Sequence, residues 1–291
     1  MKTADGWQDY QIISTGGGMK LERWKDVILL RPDPQVIWKG GDLFSREGIH
    51  AVYRRSEKGG GSWEIRKSFP QEWTVSYKDL TFKVKPMGFK HTGLFPEQAV
   101  NWDAMRGLIK KAKAEGREVK VLNLFAYTGG ASVACAKEGA QVTHVDAAKG
   151  MVERAGENAR LSGIESGIRY IIDDCMKFVA REIRRGNKYD AIIMDPPSYG
   201  RGPGGEMWKI EECLFDFVKN CVNLLTEKPL FFLINSYTTG LQPAVLKNIL
   251  TIALKDFKGT IEAYEVGIPT DDKIALPCGA SGLFTGDGYA G

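Results

Sequence analysis

The chain has 291 residues, 43% of them hydrophobic and 26% charged, with a formal net charge of +4. That length and balance exclude a disordered or fibrous chain and leave room for one large core or two parts. Five cysteines without CxxC spacing, a polar MKTADGWQDYQ start, and no run near the roughly 20 apolar residues of a membrane span point to a cytoplasmic protein with reduced thiols and no membrane partner.

The first ninety residues carry short alternating segments: DVILLR (26–31), IHAVYR (49–54) and TFKVK (81–85). The turn signals GGG (16–18), RPDP (31–34), GGD (40–42) and KGGG (58–61) separate them. Short strands with frequent turns predict a small β-rich domain over residues 1–90. Trp7, Trp24, Trp38, Trp63 and Trp73 all fall in this stretch. A base-stacking platform is one reading of them, but their spread through the segment favours packing within a small β core.

From about residue 97 the texture changes. Residues 96–114 have helical spacing, and apolar runs follow at 119–125, 141–146, 168–172, 189–195 and 230–235, with helix formers between most of them. Strands alternating with helices predict βαβ units and a mostly parallel sheet over residues 91–291. Two later runs, 260–267 and 281–284, have no long helix between them and suit an antiparallel edge pair. The stretch GRGPGG (200–205) is too rich in glycine for regular structure and predicts a loop beside a strand end.

Four successive strand ends carry polar or glycine signals. The first strand runs into AYTGGAS (126–132), where glycines admit a ligand to the backbone and the following helix offers free N–H groups. This turn lacks both G-x-G-x-x-G and a Walker lysine, which disfavours a dinucleotide oxidoreductase and a P-loop enzyme. The second strand ends at Asp146, about 20 residues after the turn, as suits a carboxylate for ribose hydroxyls. The third is followed by Asp173 and Asp174, either of which could accept from an adenine amine while the other caps a helix. The fourth, a continuous apolar run typical of a buried parallel strand, stops at Asp195-Pro196-Pro197-Ser198-Tyr199.

On the segments NLFAYTGGAS (123–132), HVDAAKGMVERAGEN (144–158), DDCMKF (173–178) and DPPSYGRG (195–202), the chain resembles the class I S-adenosylmethionine-dependent methyltransferases. More narrowly, it is similar to bacterial ribosomal RNA large-subunit methyltransferases that carry Asp-Pro-Pro. The likeness spans roughly residues 85–285, and TGLFPEQ (92–98) is similar to the segment that lies over the cofactor in that family. It implies a Rossmann-like α/β sheet of seven strands, the last antiparallel. It also implies S-adenosyl-L-methionine against Phe125, Ala126, Tyr127, Thr128 and Gly129, with Phe95 and Gln98 close by. Asp146 would hold the ribose, Asp174, preferred over Asp173, the adenine amine, and Asp195 to Tyr199 the methyl-transfer centre.

The acceptor is a separate question. A nitrogen acceptor needs only hydrogen-bond acceptors, such as the Asp195 carboxylate and a proline carbonyl, and an aromatic face such as Tyr199. Carbon 5 of cytosine needs a cysteine thiolate. Cytosine-methylating relatives carry that cysteine just after the fifth strand, where this chain has NSYT (235–238). Cys278 in LPCGA (276–280) is a possible substitute, although a small buried hydrophobe is its more ordinary role. The residues therefore favour methylation of an RNA base nitrogen, with ribosomal RNA as the partner. The alternatives are a small-molecule or protein acceptor, or a nonenzymatic RNA-binding scaffold. Arg54, Arg55, Lys90, Arg201 and Lys209 are candidate phosphate contacts, and His91 a candidate contact for substrate or cofactor, each weighed against an ordinary structural role. Three histidines without ligand spacing give no metal site.

Overall fold

The computed structural model describes residues 1–56, 60–88, 90–201 and 207–289, with the backbone alone at Arg201. The chain forms two compact units, Met1–Val100 with Val266–Cys278, and Asn101–Glu265 with Gly279–Gly291. The division falls at Val100, not at residue 90, and the first unit takes in a stretch from near the end of the chain. Hydrogen bonding explains that addition. Gln11 and Ser14 donate to Asp271 and Asp272, and Lys2 and Thr3 pair with Val266 and Gly267.

In the first unit, β1 (Lys2–Thr3) precedes a five-stranded sheet of β2 (Tyr10–Gly16), β3 (Met19–Trp24), β4 (Val27–Pro32), β5 (Ala51–Arg55) and β6 (Gly61–Ile65), in that order. A separate hairpin joins β7 (Trp73–Tyr77) to β8 (Leu80–Val84). The turn between β2 and β3 is Gly17-Gly18, both at positive φ, as a tight two-residue hairpin requires. The tryptophans pack within the unit. Trp24 is fully buried, its ring 4.5 Å from that of Tyr10, and the indole N–H groups of Trp7, Trp63 and Trp73 donate to the backbone carbonyls of Pro96, Met87 and Trp24. Of the KGGG turn, residues 58 and 59 lie outside the described residues.

The second unit begins in α1 (Ala99–Ala114) and alternates β9 (Lys120–Leu124), α2 (Gly130–Lys137), β10 (Gln141–Asp146), α3 (Lys149–Leu161), β11 (Ile168–Ile172), α4 (Cys175–Arg185) and β12 (Ala191–Met194). A ribbon of β13 (Tyr199–Arg201) and β14 (Met207–Lys209) follows, then α5 (Ile210–Val222), β15 (Phe231–Ser236), α6 (Pro243–Ala253), β16 (Gly259–Pro269) and β17 (Ala275–Gly286). The glycine-rich stretch was expected to be a loop. Instead Gly200 and Arg201 belong to the ribbon, while residues 202–205 lie outside the described residues.

The sheet has eight strands in the order β11-β10-β9-β12-β15-β17-β16-β1, the two-residue β1 pairing parallel to β16. Pairing is parallel from β11 to β15, and β17 runs antiparallel to β15. This is the Rossmann-like class I methyltransferase sheet. The two late runs form longer strands than their apolar cores suggested and lie side by side at one end of the sheet, with only the two-residue β1 beyond them. All four residues of β12 are buried, as befits a central parallel strand with no polar alternation. The strand order reverses direction between β9 and β12, where Leu124 is level with Met194. The next residues on the two strands, Phe125 and Asp195, therefore emerge side by side at the switch point, the usual ligand crevice of open α/β sheets.

Candidate active site

The turn after β9 is strained. Phe125 and Tyr127 have φ of 54° and 50°, and Gly129 has φ of 84°. Two non-glycine residues in the left-handed region within three positions is uncommon, and such strain concentrates at ligand sites. Specific hydrogen bonds hold the turn. Ala126 N–H donates to Val145 O at 3.1 Å, Phe125 N–H to Cys175 Sγ at 3.3 Å, and the Asn158 amide to Thr128 O at 2.8 Å. Burial pushes the Cys175 thiol up, so the group under the turn stays protonated. Gly129 caps α2 with no side-chain hydrogen bond, so a ligand at this end meets backbone N–H groups.

Asp146, the last residue of β10, ties this turn to the next. Its Oδ2 accepts from Tyr127 N–H and its Oδ1 from Ala148 N–H, both at 2.8 Å. The carboxylate is half-buried and fixed beside the turn. One strand further, Asp174 is the N-cap of α4, its Oδ1 accepting from Lys177 N–H at 2.9 Å. The capping role considered for Asp173 therefore belongs to Asp174. Asp173 accepts from Asp174 N–H and pairs with Arg181. The α4 sequence explains the arrangement: Cys175, Phe178, Val179 and Glu182 share the buried face, so the helix starts immediately after Asp174.

At the end of β12, Asp195 is half-buried, Pro196 buried, and Pro197, Ser198 and Tyr199 exposed. Asp195 Oδ1 accepts from Asn235 Nδ2 at 3.0 Å, and Ser198 Oγ lies 2.6 Å from Thr238 Oγ1. The end of β15 and the residues just after it thus stand against the Asp-Pro-Pro-Ser run, Asn235 presenting an amide and Thr238 a hydroxyl there. The Pro197 carbonyl accepts from Trp208 Nε1 at 2.6 Å, and the Tyr199 hydroxyl lies 3.0 Å from Met207 Sδ. The Trp208 ring also sits 5.5 Å from Phe125 and 5.7 Å from Phe217. One side chain from β14 therefore braces both strand ends of the switch point.

Trp208, Asn235 and Thr238 are site residues that sequence reasoning missed. Their signal in the sequence is position alone: Trp208 follows the glycine-rich stretch, and Asn235 and Thr238 lie in NSYT (235–238), where cytosine-methylating relatives carry a cysteine. Phe95 and Gln98 belong to the first unit, where Gln98 N–H donates to Phe95 O in a short 3₁₀ turn at Pro96–Gln98. Cys278 is also in that unit. Burial, followed by the nearby Glu97 carboxylate, drives its thiol well above the ordinary range, which opposes the thiolate a nucleophile needs. His91 is pushed down to about 4 by burial and by the cations Arg31, Lys90 and Lys20, so it is neutral at pH 7. Among the basic candidates, Arg54 pairs with Glu64, Lys209 with Glu212, and Lys90 Nζ donates to Pro32 O. Among the described residues no group of three metal-ligating side chains gathers, and no helix is long and apolar enough to cross a membrane.

The S-adenosylmethionine-dependent methyltransferase profile matches residues 40–208. A ribosomal RNA large subunit methyltransferase K/L of Colwellia psychrerythraea is 29% identical over 176 residues, 60% of this chain and 22% of that protein. A putative ribosomal RNA large subunit methyltransferase of Methanocaldococcus jannaschii is 32% identical over 196 residues, 63% of this chain and 49% of that one. The chain thus spans between 22% and 49% of the length of these two curated relatives. The crystal structure of a SAM-dependent methyltransferase from Agrobacterium tumefaciens matches with a TM-score of 0.89 and 32% identity, over 97% of this chain and 92% of that one. With a family match over more than half of its length and a solved relative at 32% identity over 97% of it, the chain belongs to the S-adenosylmethionine-dependent methyltransferases.

Proposed function

We propose that this chain methylates a nitrogen of an RNA base, with ribosomal RNA as the substrate, in the cytoplasm. The observation that carries the nitrogen assignment is the meeting of NSYT (235–238) with the Asp-Pro-Pro-Ser run. The segment from which a cytosine C5 nucleophile would act contacts the centre through Asn235 and Thr238, and neither can add to a pyrimidine ring as a thiolate does. The ribosomal assignment rests on the names of the curated relatives. The net charge of +4 is compatible with it.

The residues of the second unit fit S-adenosylmethionine. The left-handed Phe125–Tyr127 turn and the uncapped start of α2 offer backbone donors to the amino-acid and sugar portions. Asp146, already held by two N–H groups, keeps lone pairs for the ribose hydroxyls, and the Asp174 cap uses one of two carboxylate oxygens, leaving the other for the adenine amine. Bound there, the cofactor supplies an electrophilic methyl group on a sulfonium sulfur.

The chain's own work is positioning and proton handling. The Asp195 carboxylate accepts a hydrogen from the base nitrogen, which aims the lone pair and provides a place for the proton the nitrogen sheds on methylation. The Pro197 carbonyl, which already accepts from Trp208, keeps a second lone pair for the base. Tyr199, carried on the ribbon with its hydroxyl at Met207, offers the stacking face.

The test is incubation of the protein with methyl-labelled S-adenosylmethionine and separated RNA, protein and small-molecule fractions from cells lacking it. Labelled RNA is then digested to nucleosides for mass spectrometry. Label in ribosomal RNA, on nitrogen, is the expected result. Label confined to protein or metabolites refutes the RNA assignment, and a methyl on carbon refutes the nitrogen assignment.

A further inference from the structure

Behind Asp195 runs a chain of buried polar side chains. Asn235 is almost wholly buried on β15 and uses both ends of its amide: Nδ2 donates to Asp195 Oδ1 at 3.0 Å, and Oδ1 accepts from Ser281 Oγ at 2.9 Å. Ser281 is its direct cross-strand partner on β17. Ser281 Oγ in turn accepts from Asn101 Nδ2 at 2.9 Å, and Asn101 Oδ1 accepts from the Tyr264 hydroxyl at 2.8 Å. Ser281 and Asn101 are fully buried and Tyr264 nearly so. Four bonds therefore link α1, β16, β17 and β15 to the strand end that carries Asp195.

The direction of this chain follows from its last member. An ionised carboxylate can only accept, so Asn235 must face Asp195 with its NH₂ and turn its oxygen to Ser281. Ser281 must then give its one hydrogen to Asn235 and accept from Asn101, whose oxygen is left to receive the Tyr264 hydrogen. Every hydrogen points toward Asp195, and bonds aligned in this way polarise one another in the same sense. Reversing any amide would set oxygen against oxygen in the interior, where water is absent to repair it.

Resting on the reading of Asp195 as the group that receives the acceptor's hydrogen, we propose that Tyr264, Asn101, Ser281 and Asn235 form a one-way relay of positioning residues. The relay holds the Asp195 carboxylate in its receiving orientation during methyl transfer. Buried polar networks are costly to leave half satisfied, so an apolar set would serve stability alone equally well. What the polar set adds is a single fixed orientation of one carboxylate at the mouth of the site.

The test uses the full chain with Ser281→Ala, which cuts the relay in the middle, and Tyr264→Phe, which removes its first donor and keeps the ring. Ser281→Thr returns the hydroxyl. Turnover is measured on whichever cell fraction the wild-type protein labels, so a non-RNA acceptor sinks the RNA reading while the relay is still scored. Loss of one relay bond is expected to lower kcat about three- to tenfold, with the KM for S-adenosylmethionine within about twofold. Ser281→Thr should recover most of that loss. Independently of any acceptor, the ¹⁵N-labelled side-chain amide of Asn235 should exchange with solvent about tenfold faster in Ser281→Ala than in wild type. Unchanged kcat in both cutting variants, loss of kcat matched by a rise in the cofactor KM, or, if no fraction takes label, unchanged amide exchange would overturn the proposal.

Discussion

Replacing Gly129 with alanine tests the turn proposed for the cofactor at its tightest point. Gly129 has φ of 84°, a conformation that costs an L-residue about 1–2 kcal/mol. A Cβ placed there would lie 2.7 Å from Ala155 Cβ and 3.2 Å from Ala155 Cα, an overlap with a helix backbone that cannot swing aside. Overpacking of this kind costs about 1–3 kcal/mol, so the sum is about 2–5 kcal/mol. At about 2–4 °C per kcal/mol, thermal unfolding should begin about 4–20 °C lower, with weaker binding of S-adenosylhomocysteine by calorimetry. Adding Ala155→Gly removes the closest contact and leaves the φ penalty, so the double variant should be more stable than Gly129→Ala alone despite the cost of about 0.5–1 kcal/mol for glycine in a helix. Gly130→Ala is the control. It meets the Trp102 ring at 2.7 Å but needs no left-handed backbone, so it should lose less. A Gly129→Ala protein that melts with wild type, or a double variant no better than the single one, would refute the reasoning.

Asp146→Ala removes the carboxylate that holds Tyr127 and Ala148 and that we assign to the ribose. At about 1.5–3 kcal/mol for a hydrogen bond to a charged group, calorimetry should show about 10- to 150-fold weaker binding of S-adenosylhomocysteine, and equal affinity would remove Asp146 from the site. For Asp174 the cap and the proposed adenine contact can be separated. Asp174→Ala should lose about 1 kcal/mol of stability along with cofactor affinity, whereas Asp174→Ser should regain the stability and not the affinity. In the first unit, burial alone would raise the Glu22 carboxyl, but Arg31 and Lys20 outweigh it and hold the group down at about 2. Its folded pKa is depressed, so its stabilisation is whole above the ordinary value of 4.5 and is lost as pH falls through about 2. The gap in thermal stability between wild type and Glu22→Gln should therefore close across that acid window, and a gap independent of pH would contradict the assignment.

Most of the sheet was legible because its strands are continuous apolar runs ending in polar punctuation. β10 and β11 match the runs 141–146 and 168–172 residue for residue, and β12 stops one residue before Pro196, which has no N–H to continue a ladder. The division into units was less legible. It depends on Asp271 and Asp272 bonding to β2, a pairing some 260 residues apart that no local pattern encodes. Asp173 and Asp174 could not be told apart by sequence either, because both are good caps and the choice turns on which residue opens the buried face of α4.

The least legible residues are those defined by what they touch. Asn235 sits in an apolar run and looks like a strand end, and Ser281 and Tyr264 lie in strands that alternation alone would give to the core. Their meaning depends on the antiparallel insertion of β17, which puts Ser281 level with Asn235 and so within reach of Asp195 through one amide. The same insertion explains why a missing cysteine was informative. With β15 packed between β12 and β17, Asn235 at its end and Thr238 just beyond it meet the Asp-Pro-Pro-Ser run. A thiol at that place would suit covalent attack on a ring carbon, whereas on the proposed reading a buried amide that fixes the Asp195 carboxylate suits an acceptor with a hydrogen to give, as a base nitrogen has.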